Sequence, residues 1–400
     1  MTEEIVRLTE EDYEEAVDFI NYVFSYAHNP HDFPAILPKL YAPGSGAMPH
    51  HFAIRKNGRI RAMVGAFPLT LQAGSRRLKV AGIGSVSSHP YAQGAGYMRT
   101  LMNEVLRHLH AEGFHLSVLG GERRRYLNFG YEKAGTALEC NVTKKSASIG
   151  LPVGVAQDGS QDSRSGLQGG LRFERIGEGD VQRIAEAKRL HDRQLIHAER
   201  AEEQFYHCAK TWKRELWAML RGDGRMAGYL VATEKRDRVS EFVVESPDLL
   251  TEAIRGWTAD QPNKSVTFIV PPWDAALARS AVPISESVSM RESYSFLIRD
   301  WEQVVGALLQ VKAQNAVLAE GEAAIGIRGY GTLRIAVRGG AASCERTEAE
   351  PDALWDAPQA AQILFGPLPV FWANGVPARL QPLLASWLPL PLHWPEQDQV

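Results

Sequence analysis

Hydrophobic and polar positions change period several times along the first third of the chain. Ile5–Leu8 reads as a short strand. Thr9 then stands where a helix cap belongs, with Glu10, Glu11 and Asp12 in the first turn, where carboxylates favour the helix dipole. Ala16, Phe19, Ile20 and Val23 supply the buried stripe of that helix. Pro30, Pro34, Pro38 and Pro43 make the next segment irregular, with Phe24, Tyr26, Phe33 and Tyr41 around it. Such a loop either walls a pocket or is a plain packed connection. Phe52–Lys56, Asn57-Gly58 and Arg59–Phe67 form a hairpin signal, and Leu78–Ser87 is the following strand. Met98, Leu101, Met102, Val105, Leu106 and Leu109 then fall on one face of an amphipathic helix, with Gly113 just past its last turn. Phe114–Leu119 is a short apolar run. Three strands without intervening helices exclude a doubly wound sheet.

The segment before that helix, Gln93-Gly94-Ala95-Gly96, has almost no side-chain bulk. Its backbone N–H groups can approach a ligand closely at the positive end of a helix dipole, which suits an anion such as phosphate. A tight strand–helix turn with no ligand is the alternative. No Gly-Lys-Ser/Thr follows, so a P-loop is excluded. The glycine spacing and the lack of an acidic residue about 20 positions on disfavour a dinucleotide fold.

Farther on, residues 147–170 are rich in Gly, Ser, Gln and Asp and read as a flexible link after a first domain of residues 1–146. The pattern then begins again. Arg175-Ile176-Gly177-Glu178-Gly179-Asp180 echoes Arg7–Asp12, and Asp223-Gly224-Arg225-Met226 echoes Asn57–Ile60. Residues 171–299 are therefore expected to be a second copy of the first fold. It lacks a Gln/Arg-x-x-Gly turn before its helix at about 248–257, so a structural role is expected. Residues 300–400 form a third unit. It has a helix at Trp301–Gln310, strands at Ala323–Arg328, Thr332–Val337 and near Ser343–Thr347, and helical patterns at Ala357–Phe365 and Ala378–Trp387. The fold class expected is α+β.

Composition narrows the function classes. A hydrophobic content of 44% over 400 residues is enough for globular cores in two or three domains. A net charge of −3 gives no reason to expect nucleic acid or an anionic membrane as partner. Cys140, Cys208 and Cys344 are too far apart for a metal or redox motif. With no apolar signal core at the N-terminus, a cytoplasmic location is expected. The most apolar stretch, Ile363–Leu392, is broken by six prolines and reads as packing segments rather than a membrane span. His28-x-x-His31-Asp32 and His50-His51 lack a third ligand at fixed spacing, so no metal is expected. Glu122–Arg125 reads as a solvated turn, with contact to a cofactor phosphate as the alternative.

Taken together, Gln93-x-x-Gly96 after a strand, then helix, strand and Tyr126-x-x-Phe129-Gly130-Tyr131, resemble the GNAT acetyltransferases. Met98 departs from their pattern, where Gly or Ala is usual. The resemblance implies that acetyl-CoA lays its pyrophosphate on Gln93, Gly94, Ala95, Gly96 and Tyr97. It also implies that the pantetheine arm runs between Gly84–Ser88 and Phe114–Leu119, touching Val86, Ser87 and Ser88, with Asn128 nearby. Two such units followed by a sterol-carrier-like third unit resemble the enhanced intracellular survival (Eis) family over essentially the full length. Members of that family tend to end in Asp-x-Phe; here the end is Asp398-Gln399-Val400.

Acetyl transfer to an alkyl amine, whose pKa is about 10.4, needs a base, an oxyanion donor and an acid for the leaving thiolate. The resemblance implies the C-terminal carboxylate of Val400 as base, although a free α-carboxyl has a pKa of about 3.3–3.7 and needs desolvation or a bridging water. It implies Tyr126 as acid, against the alternative of a core aromatic beside Phe129 and Tyr131. The N–H of Val86 is the expected oxyanion donor. The reading is an N-acetyltransferase acting by direct attack on a primary amine of a small polycationic molecule or a lysine side chain. A homo-oligomer, hexameric or smaller, is expected. The competing readings are a lipid- or small-molecule-binding protein with an inert first unit, and a transferase for a longer acyl-CoA.

Overall fold

The Asn57-Gly58 pair adopts left-handed backbone at both positions, with φ of +53° and +76°, as a two-residue hairpin turn requires. It joins strands His51–Lys56 and Arg59–Ala73. A computed structural model describes residues 3–150 and 170–400. Most of the Gly/Ser/Gln-rich link expected at 147–170 thus lies outside the described residues.

The first helix is entered as its capping pattern predicts. The Thr9 N–H donates to Asp12 Oδ2 at 2.8 Å, a short 3₁₀ turn follows, and the helix spans Tyr13–Ala27. It packs on one face of an eight-stranded sheet, and helix Tyr97–Ala111 packs on the other. The sheet order is Glu3–Arg7, His51–Lys56, Arg59–Ala73, Arg76–Ser88, Leu116–Leu119, Tyr294–Ile298 and Glu132–Ala134, with Ile196–Ala198 paired to the long third strand. All pairings are antiparallel except Arg76–Ser88 with Leu116–Leu119, the two strands that flank helix Tyr97–Ala111.

A seven-stranded sheet repeats this plan. Its parallel pair, Arg238–Val244 with Ser265–Val270, flanks helix Leu250–Ala259. The echo read from the sequence is therefore a tandem fold. Two strands trade places between the copies: Ala137–Thr143 lies in the second sheet, and Tyr294–Ile298 lies in the first. Gly135, with φ of +67°, turns the chain out of the first sheet. A Cβ there would stand 2.9 Å from the carbonyl oxygen of Leu392, so the turn admits no larger residue.

A four-stranded sheet, Ala341–Thr347, Gly331–Arg338, Gly321–Ile327 and Ala353–Trp355, completes the fold. Helix Trp301–Asn315 is buried almost all round. Val304, Val305, Leu308, Leu309 and Val311 are at most 1% exposed, in one core with Leu71, Val80, Leu116 and Val118 of the first sheet. At about 1.5–3 kcal/mol for each fully buried large aliphatic side chain, that shared core fastens the third unit to the first. From there the chain end crosses back. Thr136 and Leu392 hydrogen-bond through their backbones at 2.8 Å, and the Trp394 N–H donates to Ser293 Oγ at 2.8 Å. No helix among the described residues is long and apolar enough to cross a membrane.

Candidate active site

The parallel pairing of the first sheet runs from Val80 opposite Leu116 to Ile83 opposite Leu119 and stops. Beyond it, Gly84–Ser88 has no neighbour on that side. The cleft therefore opens beyond Leu119, whereas the apolar run expected to form its second wall, Phe114–Leu119, is strand only from Leu116 and is paired to its end. On the other side the register with Arg59–Ala73 slips between Met63 and Gly65, so that Ser85 and Val86 fall outside the ladder. Ser85 takes the left-handed backbone this bulge needs, with φ of +53°. Val86 belongs to neither pairing. Ser87 is paired opposite Met63 and donates its hydroxyl to the Ser85 carbonyl at 3.0 Å, and Ser88 is paired opposite Ala62.

At the end of this strand, Gly94 and Gly96 adopt φ of +83° and +80°, and neither has an atom within 4 Å of where a Cβ would stand. Gly96 is the N-cap of helix Tyr97–Ala111, and no side chain caps it. Gln93, Gly94, Ala95 and Gly96 are all exposed. The turn is thus an open cradle of backbone donors at a helix N-terminus, which fits a diphosphate. Tyr97 contributes only its backbone there. Its hydroxyl donates to Glu3 Oε1 at 2.7 Å, and its ring belongs to the core under the helix. Met98, the departure from the glycine pattern, packs against that same core rather than into the turn.

Tyr126 closes the short helix Arg123–Tyr126 and is 5% exposed. Its ring rests on Gly121, where a Cβ would stand 2.5 Å from Cε2. Burial raises the phenol pKa above its ordinary value, against a smaller lowering by Arg125, so the hydroxyl keeps its proton at neutral pH. Asn128 is exposed on the next turn. In the basic run before Tyr126, Arg123 is committed to the buried Glu132 by a two-pronged pair at 2.5 Å, whereas Arg124 and Arg125 are exposed.

The chain's last residue lies against the bulged strand. A Cβ on Gly84 would stand 2.6 Å from the carboxyl carbon of Val400, and one on Gly82 would stand 2.8 Å from Val400 Cγ2. The valine side chain packs on the apolar cluster of the first helix, with Phe33, Tyr41, Met63 and Phe67. Among the described residues the terminal carboxylate has no cationic partner. The structure therefore brings Val400 onto the strand that carries Val86 and sets Tyr126 beyond the end of the adjoining strand.

The sequence reading did not bring three groups together at this site: Tyr41, His51 and Ser85. Ser85 Oγ contacts Tyr41 Oη, which lies 2.9 Å from His51 Nε2. His51 Nδ1 faces the carbonyls of Ala47 and Met48 at 3.1 and 3.2 Å, which assigns the proton to Nδ1 and makes Nε2 the acceptor. Tyr41 therefore donates to His51, and Ser85 donates to Tyr41. Burial lowers the His51 pKa to about 4 and raises that of Tyr41, so both stay neutral at pH 7. The available signal was the pair Gly82 and Gly84: two glycines two apart on one strand face mark a close approach by another group. The histidine pairs do not converge as ligands, and the described residues hold no cluster of three metal-binding side chains.

Residues 4–134 match the family described as acetyltransferase (GNAT) domain. No curated protein matches the chain. Among solved structures, the fold is similar to a GCN5-related N-acetyltransferase from Kribbella flavida, at 15% identity and TM-score 0.66 over 98% of both chains. It is also similar to Eis1 from Mycobacterium abscessus, at 13% identity and TM-score 0.64 over 100% of both chains, and to a probable N-acyltransferase from Enterococcus faecalis V583, at 16% identity and TM-score 0.63 over 97% of both. With the glycine cradle, the interrupted parallel pair and the bulge in place, residues 4–134 match a GNAT acetyltransferase domain, which supports an acyltransferase, and the whole chain has a tandem fold similar to that of Eis1.

Proposed function

We propose that the protein is an acetyl-CoA-dependent N-acetyltransferase whose acceptor is a primary amine on a small polycationic molecule or a lysine side chain. The observation that carries this reading is the carboxyl group of Val400 packed on Gly84, next to the bulge that sets Val86 outside the register. Acetyl-CoA supplies the thioester-bound acetyl group. Gly94, Gly96 and the uncapped helix start bind its diphosphate, and the open edge of Gly84–Ser88 takes the arm.

The Val400 carboxylate accepts the proton that the attacking amine must lose. Its apolar surroundings and lack of a cationic partner make it a stronger base than a solvated terminus. The Val86 N–H donates to the carbonyl oxygen as negative charge develops there. Tyr126 keeps its proton until the thiolate departs and then donates it. Ser85, with its own proton committed to Tyr41, presents an accepting oxygen beside the attack site. An exposed aromatic cluster beside the end of strand Arg76–Ser88 favours a cationic acceptor: Tyr22, Tyr26 and Tyr91 are 45%, 68% and 92% exposed, with His89 between Tyr22 and Tyr91 at ring distances of 5.5 and 5.6 Å. The carrier reading gains less support. Trp355, Leu364, Phe365, Leu384 and Trp387 fill the interior of the third unit at no more than 1% exposure.

The test is calorimetric titration of acetyl-CoA into the untagged protein, followed by a free-thiol assay against polyamines, aminoglycosides and lysine peptides. Micromolar binding with amine-dependent thiol release is expected. Absence of binding would refute the assignment.

A further inference from the structure

The chain's last five residues are held mainly by the second tandem unit, which has no glycine cradle of its own. Arg200 is the centre of that attachment. Its side chain is 1% exposed, and its guanidinium grips Asp398 with two prongs, Nε to Oδ1 at 2.8 Å and Nη2 to Oδ2 at 2.9 Å. The opposite edge of the same guanidinium holds Glu241, which also accepts the hydroxyl of Tyr229 at 3.2 Å. Two residues earlier in the tail, Glu396 pairs with Arg214 at 2.6 Å and Arg238 at 2.7 Å, both on strands of the second sheet. The first unit adds Lys39, whose ammonium donates to the Gln397 carbonyl at 2.6 Å.

We propose that Arg200 is a positioning residue: through Asp398 it sets the Val400 carboxylate against Gly84, and the second unit thereby serves the first as the dock for the end of the chain. This rests on the reading of Val400 as the base. The geometry points to placement rather than stability. A buried ion pair contributes little net stability compared with apolar packing of the same volume, whereas a planar two-pronged pair fixes both position and orientation. Only Gln399 separates Asp398 from Val400, and at about 3.3–3.6 Å per residue there is too little chain to absorb a shift of Asp398 before it reaches the carboxylate. Arg200 touches neither Gly84 nor the glycine cradle, so its effect on the reaction passes through the tail.

The test is a cycle of four proteins: wild type, Asp398→Asn, a chain ending at Gln399, and the two changes combined. Arg200→Lys is a second variant that keeps the charge and loses the fork. Each is measured for kcat and both KM values in the thiol assay, for CoA affinity by calorimetry, and for release of C-terminal residues by carboxypeptidase, followed by intact mass. Asp398→Asn is expected to lower kcat about 10²-fold, the loss that goes with a misplacement of about 1 Å. CoA affinity should stay within about twofold of wild type, and the tail should be digested faster. In the chain ending at Gln399, the same substitution should cost nothing further. Equal fold losses with and without Val400 would overturn the proposal, as would wild-type kcat in Asp398→Asn. Full activity in the chain ending at Gln399 would overturn the base assignment itself, a result recognisable because it needs no change at Arg200 or Asp398.

Discussion

Gly84→Ala isolates the contact on which the proposed base depends. The added methyl carbon would stand 2.6 Å from the Val400 carboxyl carbon, 2.8 Å from its oxygen and 3.3 Å from Cγ2. Carbon atoms at rest are about 3.5–4.0 Å apart, so the carboxylate must retreat by about 1 Å. Gly84 does not occupy the left-handed region, so alanine fits the backbone and the sheet keeps its pairing. A displacement of about 1 Å at a reacting group costs about 10²-fold in rate, or about 2.7 kcal/mol of transition-state stabilisation. Gly82→Ala is the internal comparison, because its methyl meets the isopropyl group of Val400 and Leu69 Cδ1 rather than the carboxyl. A side chain can turn away where a chain end pinned at Asp398 cannot, so the loss there is expected to be smaller. Steady-state kcat at saturating acetyl-CoA, with CoA affinity measured separately, gives the answer. Wild-type kcat in Gly84→Ala, or a larger loss in Gly82→Ala, would refute the seating of the carboxylate as the origin of basicity.

Tyr126→Phe should lower turnover by about 10²-fold or more while leaving acetyl-CoA affinity unchanged, as loss of a general acid requires; unchanged turnover would return Tyr126 to a packing role. Gly96→Glu places a carboxylate and a side chain on a φ of +80° at the mouth of the cradle, so CoA binding should fall below detection in calorimetry, and retained affinity would sink the cradle assignment. A residue added after Val400 moves the carboxylate by about 3.3–3.6 Å and should abolish most activity without affecting CoA affinity; full activity with a C-terminal tag would contradict the proposed base. For stability, the His51 pKa of about 4 lies below the unfolded value of about 6.5. The unfolded chain therefore binds the extra proton, and stability present above pH 6.5 declines as pH falls toward 4, by about 1.4 kcal/mol per pH unit for this residue. His191, at about 3, and His393, at about 4, act with the same sign. His51→Gln should reduce the slope of urea-unfolding free energy between pH 5 and 6.5 by about that much, and an unchanged slope would mean that His51 is not buried neutral.

Local features were legible in the sequence because their physics is local. The stripe from Met98 to Leu109 lies in a helix that spans Tyr97–Ala111, Asn57-Gly58 makes the expected turn, and helix Ala357–Phe365 has the limits its pattern indicates. The glycines at 94 and 96 were readable as an open cradle because left-handed backbone with no neighbour is what glycine before a helix offers. The exchange of Ala137–Thr143 and Tyr294–Ile298 between sheets was not readable. Both are short alternating strands that satisfy either sheet equally well, and the choice is made by the partner strands and by Leu392 closing over Gly135.

The site itself divides along the same line. Its cofactor side is one continuous stretch, Gly84 to Tyr126, in which spacing carries the meaning. The side proposed for the acceptor is assembled from Tyr41, His51, Ser85, Arg200 and the last residues of the chain, joined by hydrogen bonds and ion pairs that span up to 198 positions. No periodicity connects such residues. A histidine such as His51 gives the same local signal whether it fills a core or orients a serine, and an arginine such as Arg200 followed by Ala201 reads as solvated surface. What decides between the two is burial. Arg200 at 1% side-chain exposure must have carboxylate partners, and one of them, Asp398, lies two residues from the Val400 carboxyl group that packs on Gly84. The requirement that a buried charge be paired therefore ties the second unit to the end of the chain: Arg200 supplies the counter-charge to Asp398, and on the proposed reading this is how a unit without a cradle bears on the chemistry of the first.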